Sequence, residues 1–406
     1  MKVMFFLFEG FDTANGTNHL ALTTIEELLK NGIEVYLMSS HSTGLYSDIP
    51  DSIKNAKGFS YSIIKRKIVK KKNFLQRYKD GISYAIKASK EWKKKRKEID
   101  AVILQSTHTA WLSVLLMSIW LKKPIIYNSF DMFPDGPYYY GAITNELVYK
   151  VLSGLQNYIL RKSKKIVVIS DDMKKSYVAK GIDQTKLITI PNWYDSGSLQ
   201  LSSDGENEFI KKYGIDKNKF IVQYAGNIGY TFNYKAVIEI AKYLKNDDTI
   251  QFHIIGNGGF EEAFINEAKE EGLSNILFFP WQDSRVIYDV YSSCNIEIIP
   301  LSKGVIWTSF PSKCTLLMAC GRSFLCMCEN NSEFFDFVNT KKIGFCIDRT
   351  DYLDAAKIIS DLSKERYRLA EYEENGKRIG EQYYSSSVNA IKYVKLLQGM
   401  VGGNDD

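Results

Sequence analysis

Several short stretches of this chain carry residue types suited to phosphate and sugar chemistry. Gly226-Asn227-Ile228-Gly229 follows an apolar run, Phe220–Tyr224, and precedes a helical one, Ala236–Leu244. Glycines at a strand-to-helix turn let a ligand approach the backbone. The helix start that follows offers a positive dipole end, so the spacing predicts a diphosphate site. Phe310-Pro311-Ser312-Lys313 sets a hydroxyl and an ammonium at a helix start. Lysine acts on phosphate as a point charge, though the same pattern also serves as a plain helix cap. Asp131-Met132-Phe133-Pro134-Asp135-Gly136 puts two carboxylates on a Pro/Gly loop after Pro124–Asn128. Asp131 and Asp135 suit a general base or a sugar-hydroxyl acceptor, and equally a charged surface turn. His108, after Ala101–Gln105, is a further catalytic candidate, although a lone histidine is more often structural. Asn15-Gly16-Thr17 offers backbone to an anion after the first apolar run, without forming a G-x-G-x-x-G.

Such residues need a scaffold that holds them at strand ends. Short apolar runs alternate with amphipathic stretches, the pattern of parallel β-α-β units. Lys2–Phe8, Ile33–Met38, Ala101–Gln105, Pro124–Asn128, Ile166–Ile169 and Ile188–Ile190 read as strands of a first unit. A polar stretch from Tyr194 to Glu208 reads as a linker or surface loop. The alternation restarts with Phe220–Tyr224, Ile250–Ile255, Ile276–Phe279, Ile296–Ile299, Phe324–Cys328 and Gly344–Ile347, and Tyr352 to Leu397 is mostly helical. The expected fold is α/β: two Rossmann-like doubly wound domains facing a central cleft, spanning 1–193 and 194–380. A C-terminal helix, 381–406, is expected to return to the first. Ligands of such folds bind at the carboxyl ends of the strands.

Composition narrows the class. Of 406 residues, 45% are hydrophobic and 25% charged, which fits a folded globular chain. All six cysteines lie in the second half, with no C-x-x-C and no histidine at a ligand spacing, which argues against zinc and for buried, reduced thiols. The longest apolar run, Ala110–Leu121, falls short of the roughly 20 residues that span a bilayer. No secretory signal is visible, and the expected location is cytoplasmic. The net charge of +6 is unevenly spread. Lys54 to Lys97 holds 17 Lys or Arg against Asp80 and Glu91, so this segment carries the whole positive excess. Aromatic and aliphatic residues, among them Tyr61, Ile64, Tyr84 and Trp92, are interleaved with the cations. That mixture suits an anionic inner-membrane surface. Nucleic acid would also suit it, and so would a solvated helix face.

Taken together, these stretches resemble a family-4 type glycosyltransferase of the two-domain GT-B fold. Within it the likeness is to bacterial enzymes of O-antigen, capsule and colanic-acid assembly, including the N-acetyl-L-fucosamine transferase type. Asn15-Gly16 stands at the family's Gly-Gly loop, and Lys30-Asn31-Gly32-Ile33-Glu34-Val35 at its KxGHEV. Asp131–Asp135 stands at DxWPE, and Val168-Ile169-Ser170 with Pro191–Asp195 at VIS…PNWVD. Tyr224–Gly229 matches YAGNxG, Ile255-Gly256-Asn257-Gly258 matches IGDGP, and Pro311-Ser312-Lys313 matches PSK.

The resemblance implies a retaining transfer from a nucleotide diphosphate sugar, read here as a UDP-sugar, with a lipid-linked sugar as the expected acceptor. It implies no cofactor and no obligatory metal, and no nucleic-acid partner. Gly16, Gly226, Asn227, Gly229, Gly256, Asn257, Ser312 and Lys313 would bind the nucleotide sugar. Three positions depart from the pattern: Tyr230 and Phe130 stand where many relatives carry a cation, and Leu316 where they carry the ribose-binding Glu. Glu333, or Glu329, is the nearest substitute for that carboxylate. A nucleotide-sugar epimerase of the same fold, or a non-catalytic binder of lipid or nucleic acid, are the rival readings.

Overall fold

The structure, a computed structural model, describes residues 1–8, 10–11, 18–44, 48–66, 74–106, 109–118, 123–202 and 206–401. The chain divides into two compact units. The first comprises 1–135, 143–195 and the C-terminal segment from Ser386; the second comprises 136–142 and 196–385.

Seven parallel strands build the first unit: β1 (Lys2–Leu7), β2 (Glu34–His41), β3 (Phe59–Lys65), β4 (Ala101–Gln105), β5 (Ile125–Ser129), β6 (Lys165–Val168) and β7 (Leu187–Thr189), in the order β3-β2-β1-β4-β5-β6-β7. The interior strand β1, Lys-Val-Met-Phe-Phe-Leu, is apolar on both faces because helices cover both sides of a parallel sheet. The helix Asn18–Lys30 turns Leu20, Ala21, Ile25 and Leu28 to that core, and Gly32 at φ +72° ends the turn that leads into β2. The last helix, Ser386–Val401, sends Ala390, Tyr393, Val394 and Leu397 into the same core. Tyr393 meets Trp193 edge-on and donates a hydrogen bond to Asn128 at 2.6 Å.

The second unit repeats the plan with β8 (Phe220–Asn227), β9 (Ile250–Asn257), β10 (Ile276–Phe279), β11 (Ile296–Pro300), β12 (Ser323–Cys328) and β13 (Phe345–Asp348), ordered β10-β9-β8-β11-β12-β13. Two parallel-sheet α/β domains match the expected fold class.

Two differences from the sequence reading bear on function. Strand β3 lies inside the basic segment, where weak alternation and flanking lysines hide it. It occupies a sheet edge, where charge discourages pairing with other chains. Strands β8 and β9 also run on through their glycines, pairing Gly226 with Gly256 and Asn227 with Asn257. Those glycines are therefore the last rungs of the sheet and not a loop beyond it.

Candidate active site

In the second sheet the chain order reverses between β8 and β11, and the carboxyl edge at that switch point is where open α/β sheets bind ligands. Gly226-Asn227 and Gly256-Asn257 close β8 and β9 there. The segment after β11 carries Lys313, and Glu329 follows β12.

Glycine is required here by space as well as by torsion. Gly226 and Gly256 hold φ near +149° and +148°, a region side chains avoid. A Cβ on Gly256 would sit 1.9 Å from the Gly226 carbonyl oxygen, and one on Gly258 would sit 2.2 Å from that of Ile228. Gly256→Ala is therefore expected to cost about 1–3 kcal/mol for the backbone conformation alone, plus the clash. Chemical denaturation of the variant checks this, and an unchanged midpoint contradicts it.

Lys313 lies directly over this backbone. A Cβ on Gly226 would fall 2.6 Å from its Cε and 2.9 Å from its Nζ. The ammonium also sits 3.3 Å from the centroid of the Tyr224 ring, a cation–π contact. Tyr224 is held in turn by stacking on Phe232 and by donating its hydroxyl proton to the Asn227 carbonyl at 2.7 Å. Beneath them Glu297, fully buried in β11, accepts from the Ala225 N–H at 2.7 Å and from Gln223 at 3.0 Å. Burial pushes the Glu297 carboxyl up to about 7, against the pull of Lys313 and of these two donors. Burial pushes the Lys313 ammonium down to about 7, against the pull of Glu297. An under-solvated cation beside glycine backbone at a switch point is suited to receive a polyanion.

The remaining candidates fall into place unevenly. Asn227 and Asn257 are exposed at the strand ends. Gly229 is buried in the turn after β8, where a Cβ would meet the Asn227 amide at 2.6 Å. Ser312 is exposed and its hydroxyl does not cap the helix Lys313–Ala319, so the plain-cap alternative fails for it. Glu333 is exposed in the first turn of the helix Glu333–Lys341. Glu329 accepts from the Gly304 N–H at 2.7 Å and lies 3.8 Å from Arg349. Tyr230, where a cation was expected, forms an exposed aromatic face, edge-on to Phe260 and stacked on Tyr140. Leu316 lies partly buried in the helix Lys313–Ala319, and Phe130 packs on the first unit's core. Gly16 and His108 lie outside the described residues.

The aspartates separate. Asp131 is exposed just past β5. Asp135 is corrected from its catalytic reading: it is 2% exposed, takes Lys180 at 2.6 and 2.8 Å through its two oxygens, and accepts from Tyr149 at 2.9 Å. A carboxylate so enclosed braces its loop instead of meeting a substrate. Sequence reasoning missed Glu297, and it placed Tyr224 and Gly258 in motifs without giving either a role. The available signal for Glu297 was a single carboxylate inside the apolar run Ile296–Ile299.

The basic segment needs a correction as well. Trp92, Tyr84 and Ile64 are buried, so they are core residues and not membrane anchors. Tyr61 and Ile86 are exposed among the cations. Among the described residues no helix is long and apolar enough to cross a membrane.

Comparison with known proteins agrees with this architecture. Residues 14–197 match the Glycosyltransferase Family 4 model and residues 205–379 the Glycosyl transferases group 1 model. A protein of Escherichia coli that carries the name colanic acid biosynthesis glycosyl transferase WcaI is 27% identical over 185 residues, 45% of this chain and 45% of that protein. The aligned stretch thus spans about half the length of that curated relative. Among solved structures, sucrose-phosphate synthase of Thermosynechococcus elongatus superposes with a TM-score of 0.77 at 14% identity, covering 99% of this chain and 100% of that one. HepE of Anabaena in complex with UDP gives 0.72 at 14% identity over 98% and 100%. WaaG, a glycosyltransferase involved in lipopolysaccharide biosynthesis, gives 0.69 at 12% identity over 98% and 100%. With two parallel-sheet units, a glycine-and-lysine site on the second and a family match on each half, the chain is a glycosyltransferase of the GT-B fold, Family 4 in its first domain and group 1 in its second.

Proposed function

We propose that the protein transfers a sugar from a UDP-sugar to a lipid-linked oligosaccharide during assembly of a surface polysaccharide such as O-antigen or capsule, with the anomeric configuration retained. The observation that carries the donor half is the Lys313 ammonium lying against Gly226, where a diphosphate would stabilise the charge that burial disfavours. The bond from the anomeric carbon to the diphosphate breaks, and an acceptor hydroxyl forms the new bond on the same face. The acceptor proton passes to the departing diphosphate oxygen. Lys313 and the N–H groups around Gly226–Gly229 stabilise the charge that develops on the leaving group, a preorganised electrostatic role. Gly256, Asn257, Ser312 and Glu333 complete the donor site, with Glu333 or Glu329 on the ribose. Asp131 serves the acceptor or the transferred sugar. No metal is required for the chemistry.

Labelled UDP-sugar offered alone and with lipid-linked acceptor tests the reading. Label is expected in lipid product only when acceptor is present, and nuclear magnetic resonance of the product is expected to show the donor's anomeric configuration. Conversion of the donor sugar without acceptor would support an epimerase instead. An inverted linkage would remove the retaining mechanism.

The basic segment Lys54–Lys97 is assigned to the anionic inner leaflet, with the protein a peripheral cytoplasmic enzyme. Each cation near such a surface contributes about 1 kcal/mol. Lys94 and Lys95 are partly offset by Glu91 and Glu98, at 3.0 and 3.6 Å, and Lys97 is exposed. Co-sedimentation is expected with anionic but not neutral vesicles, weakening as salt is raised. Replacing Lys93, Lys94, Lys95, Arg96 and Lys97 with Gln should lower it and leave UDP binding unchanged. Equal sedimentation with both vesicle types removes the electrostatic role.

A further inference from the structure

The six cysteines are all buried, yet they differ in their surroundings. Cys294 and Cys320 each direct a thiol at a backbone carbonyl, that of Tyr291 at 3.5 Å and that of Tyr288 at 4.0 Å. Cys326, Cys328 and Cys346 instead face one another, with all three Sγ atoms within 4.8 Å of each other. Strand register produces this meeting. Cys326 and Cys328 are two apart on β12 and so share a face, and Cys346 on β13 is the direct partner of Cys326. The alternate residues Leu325 and Met327 belong to the apolar core on the opposite face. Linear spacing, with no C-x-x-C, argued against a metal. The sheet brings the three thiols together regardless.

A second feature stands beside the cluster. The hydroxyl of Ser332 lies 3.8 Å from the Cys328 sulfur, and Ser332 is the N-cap of the nine-residue helix Glu333–Lys341, accepting from the Phe335 N–H. The positive end of that helix is therefore next to the sulfurs, where it favours net negative charge. Zinc–thiolate bonds are about 2.3 Å, which sets sulfurs about 4 Å apart around one ion. Reaching that from the present spacing needs side-chain shifts of less than about 1 Å.

We propose that Cys326, Cys328 and Cys346 bind one thiophilic divalent ion of the zinc class as three thiolates, a structural site that ties β12 to β13. As the three metal–sulfur bonds form, the three thiol protons leave to solvent. The assembly carries one net negative charge, opposite the helix start. The ion would take no part in sugar transfer, and its binding would be coupled to folding because the unfolded chain has no such site.

The test uses the full-length protein, purified without chelator and measured for metal content. It is then stripped under reducing conditions and titrated with Cd(II) and with Zn(II). One ion per chain is expected, with a thiolate-to-cadmium ultraviolet band saturating at one equivalent and a rise in melting temperature. Cys326→Ser and Cys346→Ser should each abolish the band, while Cys294→Ser retains it. If wild-type protein with intact UDP binding and native circular dichroism takes up neither ion, the site does not exist. Full binding by Cys346→Ser would equally overturn the proposal, since it would place the metal elsewhere.

Discussion

Replacing Lys313 by alanine is expected to weaken binding of a nucleoside diphosphate by about 1.5–3 kcal/mol, the range for a hydrogen bond to a charged group. That corresponds to roughly a 10- to 150-fold rise in Kd. Turnover should fall further, by about 10²–10³-fold, because the leaving group gains most of its charge in the transition state, where a preorganised donor contributes most. The fold should survive. Lys313 lies against Gly226 and the Tyr224 ring, and burial already disfavours its charge. Lys313→Met fills similar volume without that charge and leaves Glu297, already pushed up to about 7, to take a proton, so native circular dichroism is expected to persist. The two variants together separate a binding role from a structural one. Titration calorimetry and single-turnover kinetics supply the numbers, and unchanged affinity in a folded variant would remove Lys313 from the donor site.

Asp135→Ala is expected to act on stability and not on nucleotide affinity. Its carboxylate holds Lys180 through both oxygens and accepts from Tyr149, with only 2% of the residue exposed. Breaking a buried ion pair by removing one partner typically costs about 3–5 kcal/mol, because the other charge is left without compensation. The Lys180 side chain keeps 21% of its surface in water, so the lower end of that range applies. Adding Lys180→Met to Asp135→Ala should recover much of the loss, since the stranded cation goes with it. A general base behaves differently: its removal would lower turnover about 10²–10⁴-fold without touching stability, and Lys180→Met would rescue nothing. Denaturation and turnover of the single and double variants decide between the two roles.

The elements of this molecule were legible where a residue's role is set locally. Strand β4, Ala101–Gln105, and β10, Ile276–Phe279, have the bounds their apolar runs predict. Strand β4 is buried throughout, as its continuous apolar run implies, whereas β10 lies at a sheet edge with Leu277 exposed and is legible because nothing charged interrupts it. Strand β3 was not legible, because Phe-Ser-Tyr-Ser-Ile-Ile-Lys occupies a sheet edge amid lysines and needs no continuous apolar run. The glycine and lysine motifs of the donor site could be read because glycine identity reports backbone geometry. The layer beneath could not. Glu297 interacts with Ala225 and Gln223 across more than seventy residues of sequence, and only the pairing of β8 with β11 brings them together. Asp135 erred in the opposite direction. A carboxylate on a Pro/Gly loop looks available until Lys180, 45 residues away, is found against it.

The most direct measurement of the donor-site account is calorimetric titration with UDP-glucose and UDP-N-acetylglucosamine at pH 6 and pH 8, in buffers of different protonation enthalpy. Without ligand, burial holds the Lys313 ammonium down to about 7, so it is largely charged at the lower pH and largely neutral at the higher. A bound diphosphate favours the charged form, which raises that value. Binding at pH 8 must then take up a proton, and affinity must fall as pH rises above about 7. The account predicts more proton uptake at pH 8 than at pH 6, and in Lys313→Met the loss of the Lys313 share, leaving only what the neighbouring Glu297 carboxyl, itself pushed up to about 7, takes up. Binding of equal strength and zero proton uptake at both pH values, unchanged by Lys313→Met, would show that the diphosphate is held elsewhere.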